Sequence, residues 1–586
     1  MARVKLAKNA GFCMGVRRAM DMTLEAAMRK EGPIYTYGPL IHNPQVLEVL
    51  KGKGVESLKE DEGKISLPNP KGKNSVNLII RAHGISPQER QRIRDTGLNV
   101  INATCPHVGR VQGIIKRFTK QGYATVILGE RDHAEVIGLL GYAEGHGFAI
   151  NSLEELATLP SLGKVCFVAQ TTQDENLFKS VSQAIQIRFP EAKIFNTICD
   201  STHRRQEEVL SLAQRVEAIV VVGGKGSGNT RRLAKISAEI GVPTFHVETE
   251  KELDLEKLSE YSLVGVTAGA STPSWLILRV IECIKAMQRE RGPAYVNVIE
   301  RLGSLLVITY IFLALGAACL TYASVLIQRL APDLSSVLTS SFYVFSMHVI
   351  NRLQNKDSER YNQPGRMEFY ERYGRGMLWI AIVSVGIALT LAGLEGVYPF
   401  MLILAITGLG LIYNLRVFPS SPKTPRRYQR LRDIPGSKTL FVSLAWGVVT
   451  SLLPPLSHGG RFYPATAAAF FFTTGFVFLR STLYDFKDIQ GDLLVGKETI
   501  PTVIGWENTK GLVVLLTILL GGNLVFAFVM GWVTSIAIFL LLSLLYVASY
   551  YWLYRKRILG RGFLFEWMVD GSFLFAGLLA FIWRFF

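Results

Sequence analysis

The stretch AIVVVGGKGSGNTRRLAKIS, residues 218–237, sets the architecture of the first half of the chain. An apolar run typical of a buried strand leads into a glycine-rich turn, and the turn leads into a helical pattern. The same order returns in VNLIIRAHGIS, NVINATCPHVGRVQGIIKRF, YATVILGERDHAEVIGLL, KVCFVAQTTQDENLFKSV and LVGVTAGASTPSWLILRVIECI. A succession of such units predicts an α/β domain with largely parallel sheets.

The chain is too long for one hydrophobic core, and its composition divides it into two halves. The chain has 586 residues, and charged and apolar residues are interleaved up to about residue 290. Beyond about residue 302, apolar segments near 20 residues long follow one another, which is the length that crosses a bilayer. The second half is therefore predicted to be an all-helical membrane bundle with nine spans, at 302–325, 334–351, 376–392, 396–415, 438–455, 464–483, 511–530, 532–553 and 564–584.

Positive charge predicts how these spans are oriented. The net charge is +17, and the loops after the even-numbered spans carry basic clusters such as RVFPSSPKTPRRYQRLRD and YRKRILGRG. The alternate loops are short and poor in lysine and arginine, so the basic loops and the N-terminal half are predicted to be cytoplasmic. No cleavable signal is predicted, because MARVKLAKNAGFCMG lacks an apolar core. We expect a multi-pass protein of the cell inner membrane, embedded in the lipid bilayer and without a nucleic-acid partner.

Side chains capable of chemistry gather in one kind of place in the first half. They fall just after predicted strands, and the carboxyl ends of strands are where α/β folds bind ligands. The residues concerned are His83, Cys105, His133, Glu135, Thr171, Ser227, Asn229 and Ser271.

Three of the six cysteines suggest a metal centre. Cys13, Cys105 and Cys199 lie in turns, 92 and 94 residues apart, as if each came from one of three comparable α/β segments. Zinc sites made only of thiolates usually contain a CxxC pair, which is missing here, so an iron–sulfur cluster fits better. Three unrelated buried cysteines remain the alternative. The other cysteines, 166, 283 and 319, are interpreted as packing residues, and no disulfide is expected.

The polar residues around this centre favour a phosphate-bearing ligand. His42, His83 and His133 can donate hydrogen bonds to anionic oxygens, and the segments KGSGNT and AGAST offer hydroxyl, amide and backbone donors at helix starts. The sequence GGKGSGNT matches neither the P-loop nor the dinucleotide motif. Any one histidine could equally be structural, but the set favours a diphosphate pocket. Glu135, two residues after His133, is the candidate proton donor.

Residues 1–285 resemble the 4-hydroxy-3-methylbut-2-enyl diphosphate reductase family. GFCMGVRRA, GPLIHNPQV, RAHGISP, ATCPHV, HAEVIG, QTT, TICDST, VVGGKGSGNT and VGVTAGASTP occur in the family's order. The resemblance implies a trefoil-like arrangement of three α/β units around a [4Fe–4S] cluster on Cys13, Cys105 and Cys199. It further implies a proton source at Glu135, with Thr171 near the substrate hydroxyl. The implied diphosphate ligands are His42, His83, His133, Ser227, Gly228, Asn229 and Ser271, although Gly226 and Gly228 stand where members often have asparagine and serine.

The reaction implied by this resemblance is a reductive dehydroxylation. The substrate, (E)-4-hydroxy-3-methylbut-2-enyl diphosphate, would give isopentenyl and dimethylallyl diphosphates, with a ferredoxin or flavodoxin as electron donor. An iron–sulfur sensor is the alternative for this half, but a sensor needs neither Glu135 nor a diphosphate pocket.

The segment YDFKDIQGDLLVGKETIPTVIG supplies three carboxylates just after the sixth predicted span. Asp485, Asp488 and Asp492 share a helical face and could hold Mg²⁺ bridged to a diphosphate, although an acidic capping segment is the simpler alternative. This DxxDxxxD motif, followed by KETIPT, makes residues 295–586 resemble the UbiA superfamily of intramembrane prenyltransferases.

The other acidic motif of that superfamily, NDxxDxxxD, is altered in this chain. The corresponding segment reads NRLQNKDSE: Asn351 is present, Arg352 and Asn355 replace two aspartates, and Glu359 replaces the third. Asp357 could compensate. We therefore expect an altered first Mg²⁺ site.

Two functions are open for the second half. It either transfers a prenyl group from a prenyl diphosphate to a lipophilic acceptor, or it is a non-catalytic anchor for the reductase. The intact second motif favours transfer, because an anchor does not need it. The predicted organisation is a reductase domain at 1–285, a linker at 286–301 and a membrane domain at 302–586.

Overall fold

The computed structural model divides the chain into two compact units, Met1–Gly292 and Pro293–Phe586. The predicted linker, 286–301, falls mostly in two helices that end and begin at this division, Ser274–Arg291 and Ala294–Ile308. The structure describes residues 3–29, 32–61, 64–68, 76–291, 294–354, 361–413, 415, 430–431, 434–495, 498–555 and 563–586.

Short strands in the first unit form three parallel sheets. In chain order the strands β1 to β14 are Arg3–Leu6, Ile34–Tyr37, Val55–Ser57, Glu60–Asp61, Lys64–Ile65, Asn77–Ile80, Asn99–Asn102, Ala124–Leu128, Gly147–Ile150, Val165–Ala169, Lys193–Ile194, Ala218–Val222, Thr244–Val247 and Leu263–Ala268. The spatial orders of the four-stranded sheets are β1-β14-β12-β13, β7-β6-β2-β3 and β11-β10-β8-β9. All pairs in these sheets are parallel, and β4 and β5 form a small antiparallel pair. The predicted α/β class is confirmed.

Helices connect these strands and cover the sheets. The central strands β10 and β12 are buried along their whole length, as expected when both faces of a parallel sheet are covered. Many of the helices begin at a polar residue just after a strand; Asn43, for example, accepts a hydrogen bond from the amide of Val46 (3.0 Å). The α-helices are Met14–Arg29, Pro44–Gly52, Pro87–Asp95, Pro106–Thr119, Ala134–Leu140, Glu175–Arg188, Asp200–Ala213, Gly228–Glu239, Leu255–Leu258 and Ser274–Arg291.

The second unit is built of helices around one large apolar core. Aromatic side chains such as Trp446, Phe472 and Phe573 are fully buried in that core. The helices are Ala294–Ile308, Ile311–Ile327, Leu334–Gln354, Pro364–Glu395, Val397–Ile412, Ser437–Gly447, Leu453–Ser457, Pro464–Val495, Ile500–Val503, Trp506–Val529, Ile536–Arg555 and Phe563–Trp583. A π-helical turn, Val448–Leu452, joins the sixth and seventh of these.

The nine predicted spans all coincide with helices, but fewer than nine helices qualify as spans. Within the described residues, six are long and apolar enough to cross a membrane, or seven if Arg301–Ile308 and Ile311–Ile327, which are bent by 68°, count as one. Two predicted spans do not qualify. Val397–Ile412 has only 16 residues, and Leu334–Gln354 contains five serines. The membrane character of the unit is supported, and the count of nine is not.

Candidate functional sites

The three sheets present their functional residues at equivalent positions. The first strand of each sheet (β1, β7 or β11) leads to one of Cys13, Cys105 and Cys199, and the second (β14, β6 or β10) leads to Ser271, His83 or Thr171. The third strand (β12, β2 or β8) leads to Ser227 with Asn229, to His42, or to His133 with Glu135. The residues that the sequence singled out in this unit therefore lie at the ends of comparable strands, as predicted.

Each of these cysteines is fixed by the same backbone contact. The amide of Cys13 donates to the carbonyl of Ala270 (3.1 Å), that of Cys105 to Ala82 (2.9 Å), and that of Cys199 to Thr171 (2.9 Å). In every case the acceptor lies in the loop after the neighbouring strand of the same sheet. The fold thus repeats one cysteine geometry three times.

The cysteine thiols lie at the starts of helices and are half-buried and free of disulfides. The amide of Val16 donates to Cys13 Sγ (3.4 Å). Burial raises the pKa of Cys105 above its ordinary value, and the facing amides of His107 and Val108 oppose that effect.

The thiols of Cys13, Cys105 and Cys199 are also close enough to interact electrostatically. Burial raises the pKa of Cys199 as well, opposed by the amide of Ser201. Three soft sulfur ligands at helix N-termini, where backbone amides stabilise thiolates, fit a cluster with three cysteine ligands. Cys166 differs, because it is fully buried within β10 and burial raises its pKa to about 12.

Three histidine rings from different strand ends meet in one cluster. The ring centroids of His42, His83 and His133 lie 4.7, 5.4 and 5.3 Å apart. Burial lowers the pKa of each, and that of His133 falls to about 4, so the rings are neutral near neutral pH. His42 Nε2 and His83 Nδ1 are buried without a hydrogen-bond partner among the described residues. The cluster therefore has hydrogen-bonding capacity that a ligand can use.

Nearby charges favour an anionic ligand at this cluster. Ring nitrogens of the three histidines lie within 4.8 Å of one another, which by distance alone could suit a metal ion. However, Arg81 and Arg231 both act electrostatically on His42 and His133, and two guanidinium groups disfavour a cation there. Asn229 supports the same conclusion, since its buried Nδ2 has no hydrogen-bond partner in the described part of the chain.

Two further polar residues border the cluster. Ser271 Oγ donates to the carbonyl of His42 (3.2 Å), which joins two of the predicted ligand loops. Ser227 is the N-cap of the helix Gly228–Glu239, so the free amides of the first helical turn lie in this loop. A Cβ added at Gly228 would make only ordinary contacts, and one at Gly226 would meet nothing within 4 Å, so neither position requires glycine for lack of space at the Cβ.

Glu135 is a buried acid held by Thr171. The amide of Thr171 donates to Glu135 Oε1 (2.7 Å), and its hydroxyl donates to Oε2 (2.9 Å). Burial raises the pKa of Glu135, although these two donors oppose the shift. Thr171 was predicted to lie near the substrate hydroxyl. In the structure the Thr171 hydroxyl donates a hydrogen bond to the Glu135 carboxyl group.

Glu135 also determines which nitrogen of His133 carries the proton. The amide of Glu135 donates to His133 Nδ1 (3.1 Å), so in the neutral ring the proton is on Nε2. His133 is thus a hydrogen-bond donor through Nε2.

The sequence interpretation missed the charges that surround these residues. Arg81 is buried directly after β6, two residues before His83. Arg231 forms an ion pair with Glu130 (2.9 Å), and the amide of Glu130 donates to Gln170 Oε1 (3.0 Å). The available signal for Arg81 was a charged residue directly after the apolar run LII. The Glu130 contacts join distant segments, so the sequence carried no signal for them.

Asp485, Asp488 and Asp492 lie in the helix Pro464–Val495, as the spacing predicted. Thr439 Oγ1 donates to Asp485 Oδ2 (2.8 Å), and Asn362 Nδ2 donates to Asp492 Oδ1 (3.3 Å). Asp488 Oδ1 is buried without a hydrogen-bond partner among the described residues. Hard carboxylate oxygens, one of them unpaired, fit a Mg²⁺ ion.

The altered first motif is described only in part. Asn351 lies near the end of the helix Leu334–Gln354, while the predicted site residues Asn355, Asp357 and Glu359 lie outside the described residues. Arg352 is buried, donates to Gln363 Oε1 (3.2 Å) and interacts electrostatically with Asp488 and Glu566. A guanidinium cannot bind a metal ion, so this position contributes positive charge instead.

Buried ion pairs in this unit were not foreseen. Glu566 pairs with both Arg366 and Lys487. Asp570 accepts from Arg480 Nε (2.8 Å) and from the Tyr484 hydroxyl (3.0 Å). Charged residues inside apolar segments were the signal, because such residues are costly in a membrane and are usually kept for function. The residues concerned are Arg366, Arg480, Lys487, Glu566 and Asp570.

Comparisons with known proteins agree with this division of the chain. The LytB protein family profile matches residues 4–285, and the UbiA prenyltransferase family profile matches residues 311–569. A 4-hydroxy-3-methylbut-2-enyl diphosphate reductase of Opitutus terrae is 42% identical over 289 residues, which are 49% of this chain and 100% of that protein.

Solved structures match each half as well. A structure of (E)-4-hydroxy-3-methyl-but-2-enyl diphosphate reductase is 41% identical, with a TM-score of 0.39, covering 49% of this chain and 100% of that one. A UbiA homologue from Archaeoglobus fulgidus, bound to GPP and Mg²⁺, is 17% identical, with a TM-score of 0.34, covering 47% of this chain and 99% of that one. Through its first half the chain belongs to the 4-hydroxy-3-methylbut-2-enyl diphosphate reductase family, and in its second half residues 311–569 match the UbiA prenyltransferase family profile.

Proposed function

We propose that the first half reduces (E)-4-hydroxy-3-methylbut-2-enyl diphosphate to isopentenyl and dimethylallyl diphosphates. The observation that carries this proposal is the convergence of three cysteines, three neutral histidines and one buried acid on equivalent strand ends. Bound to Cys13, Cys105 and Cys199, a [4Fe–4S] cluster would supply two electrons in single steps and a Lewis-acidic iron for the allylic hydroxyl.

The diphosphate is assigned to the histidine cluster. His42 Nε2 and Asn229 Nδ2 are buried and have no hydrogen-bond partner within the described residues, and His133 Nε2 carries a proton, so all three can donate to phosphate oxygens. Arg81 and Arg231 add positive charge that they cannot lose by deprotonation, and Glu130 offsets part of it through its ion pair with Arg231. Ser227, Ser271 and the first amides of the helix Gly228–Glu239 complete the donors.

Glu135 is assigned the proton for the departing hydroxyl. The reaction consumes two electrons and two protons, breaks one carbon–oxygen bond and releases water, so it needs an acid at the leaving oxygen. Burial favours the protonated form of Glu135, and Thr171 fixes the position of its carboxyl group. The electron donor is proposed to be a ferredoxin or flavodoxin.

The test is anaerobic turnover by the full chain. Protein loaded with iron and sulfide is mixed with the substrate and dithionite-reduced methyl viologen, and the two isoprenoid diphosphates are measured by mass spectrometry. We expect turnover by the wild type and by Cys166→Ser, and almost none by Cys105→Ser. Fully loaded wild-type protein that gives neither product would refute the assignment and favour a sensor.

For the second half we propose prenyl transfer from a prenyl diphosphate to a lipophilic acceptor, at the cytoplasmic side of the inner membrane. Asp488 carries this proposal, because one of its carboxylate oxygens is buried without a hydrogen-bond partner among the described residues, even though Lys438 acts electrostatically on all three aspartates. Asp485 and Asp492 would hold the same Mg²⁺, and buried Arg352 would add a fixed positive charge near the diphosphate. The anchor remains the second candidate.

A labelled substrate separates transferase from anchor. Purified protein is incubated with Mg²⁺, radiolabelled geranyl or farnesyl diphosphate and a membrane lipid extract, and the lipid fraction is separated by chromatography. We expect a labelled lipid that is absent without Mg²⁺. No labelled lipid from any extract or donor length would favour the anchor.

A further inference from the structure

Each of the three cysteines assigned to the cluster is followed, five residues later, by an exposed arginine. These residues are Arg18, Arg110 and Arg204, and we call them the arginine triad. The residue directly after each cysteine is also exposed: Met14, Pro106 and Asp200. Positions four apart lie on one face of a helix. Each of the three helices that follow these cysteines, which we call the cysteine helices, therefore exposes the same face to solvent.

One member of the triad connects two of the cysteine loops. Arg18 Nη1 donates to the carbonyl of Thr104 (3.0 Å), and Thr104 directly precedes Cys105. Arg18 therefore reaches from the helix after Cys13 to the loop of the next cysteine. In the described part of the chain, the side chains of Arg110 and Arg204 have no hydrogen bond or ion pair that would hold them inward.

The charges around the triad are mostly positive. The first two turns of the three cysteine helices contain five arginines and a single acidic residue, Asp200. Of the other two arginines, Arg17 faces Asp21, and Arg205 is buried and bonded to Gly11 and Ser201. His203 is already paired with Glu175 and Glu207. The triad therefore supplies three exposed positive charges, and exposed Asp200 and Glu207 offset part of that charge beside Arg204.

We propose that the arginine triad is the docking surface for a small acidic protein that carries single electrons. The inference rests on the proposed reductase function, since that reaction needs two electrons from outside and the half-buried cysteine loops beside the triad are the route to the cluster. Two carrier molecules would each lose one electron per substrate reduced. A cationic patch attracts an acidic partner and orients it at the surface where the electron must enter.

An anionic lipid surface is the competing occupant of a cationic patch. The two are distinguished by what the arginines affect, because a carrier-docking surface changes electron delivery by a protein donor and a lipid-docking surface changes vesicle binding.

The experiment uses the full chain, loaded with iron and sulfide, and an acidic ferredoxin as the probe. One variant combines Arg18→Glu, Arg110→Glu and Arg204→Glu. Its matched control combines Arg94→Glu, Lys179→Glu and Lys235→Glu, three exposed cations, one in each α/β unit, on helices that do not follow a cysteine. Binding is measured by surface plasmon resonance at low and high salt, and turnover is measured with ferredoxin and with methyl viologen.

We expect the triad variant to bind ferredoxin at least about tenfold more weakly at low salt, with a matching rise in KM for ferredoxin. Its iron content and its rate with methyl viologen should stay within about twofold of wild type. The control should resemble wild type in all four measurements. A double variant, Arg110→Glu with Arg204→Glu, repeats the test without touching the Arg18–Thr104 bond.

Equal ferredoxin binding by wild type and both triad variants would overturn the proposal, and so would an equal loss in the control. Loss of binding to phosphatidylglycerol vesicles with unchanged ferredoxin binding would assign the patch to lipid. If wild type failed to turn over with methyl viologen, the reductase function would fall, whereas the binding comparison would still decide the docking surface.

Discussion

Glu135 shows how the environment of one residue prepares it for its role. Burial alone raises the pKa of Glu135, without any like charge from a diphosphate or a cluster. Thr171 then fixes the carboxyl group with two hydrogen bonds. Burial therefore favours the protonated carboxyl group, and Thr171 fixes its position.

We predict that Glu135→Gln removes activity without disturbing the site. The glutamine oxygen can still accept from the Thr171 amide, and its amide group can donate to the Thr171 hydroxyl, so the geometry is kept. Glutamine cannot release a proton, and loss of a general acid typically costs on the order of 10² to 10⁴ in rate. Single-turnover kinetics, iron content and substrate affinity are the measurements.

Loss of the cluster in Glu135→Gln, or a rate of this variant within about threefold of wild type, would remove Glu135 from the mechanism.

The pH dependence provides a separate prediction for Glu135. Because burial raises its pKa, the acid keeps its proton to a higher pH than an exposed glutamate and loses it as the pH rises through that raised value. The wild-type rate should therefore fall on the alkaline side, and Glu135→Gln should lack that fall. The same alkaline limb in both proteins would assign it to another group.

The sequence predicted a site residue only where the position of that residue relative to its neighbours in the chain was enough to locate it in the fold. His83, His133 and Glu135 were found because each follows an apolar run, and Cys13 was found because of its spacing to Cys105 and Cys199. Thr171 holding Glu135 was not found, because that bond joins two loops whose distance only the assembled sheet determines. Arg81 was passed over because a lone arginine in sequence looks like a surface charge.

At the scale of elements, the cysteine helices must pack closely to bring their thiols together. A Cβ added at Gly15, in the helix after Cys13, would lie only 2.4 Å from Cys105 Sγ. Gly15 is therefore required by the neighbouring cysteine and not by its own helix. Gly109, in the helix after Cys105, has nothing within 4 Å of an added Cβ.

We predict that Gly15→Ala lowers the iron content of the purified protein to below about half, because the methyl group displaces a ligand sulfur. Gly109→Ala is the matched control, and it should keep its iron and slightly stabilise its helix, by roughly 0.5–1 kcal/mol. Iron analysis and visible absorption give the readout. Full iron content in Gly15→Ala would mean that the helices can shift apart at no cost to the cluster.

Replacing the cysteines one at a time tests the ligand set directly. Cys13→Ser, Cys105→Ser and Cys199→Ser should each lose iron and activity, because serine is a poor ligand for iron–sulfur clusters. Cys166→Ser should keep both, since Cys166 lies inside β10. A cluster abolished by Cys166→Ser alone would contradict the assignment.

The membrane elements were predicted less well than the α/β units, and the reason is physical. Strands and helices differ in the periodicity of their hydrophobic residues, so alternating strands and helices are recognisable in the sequence. Successive apolar helices differ only in length and polarity. Val397–Ile412 spans about 24 Å at 1.5 Å per residue, which is shorter than a typical hydrocarbon core of about 30 Å. The serines of Leu334–Gln354 face partners such as Val449, whose carbonyl accepts from Ser340 (3.1 Å), and that pairing is invisible in sequence.

At the scale of the whole molecule, two compact units each contain their own candidate site. The cysteines and histidines lie in the first unit, and the DxxDxxxD helix lies in the second. No residue assigned to one site belongs to the other. The proposed products of the first half are also the precursors from which prenyl diphosphates are built, so one chain would join a supplier of building blocks to a consumer of the finished donor.

We predict that the two activities can be removed separately. Asp488→Asn keeps the shape of the side chain but weakens its hold on Mg²⁺, so labelled-lipid formation should fall at least about a hundredfold while the reductase rate stays within about twofold. Cys13→Ser should do the reverse. Glu507→Gln, which alters an exposed acid in the second unit, is the control and should keep both activities. Reductase loss in Asp488→Asn, with iron content intact, would show that the two units do not work independently.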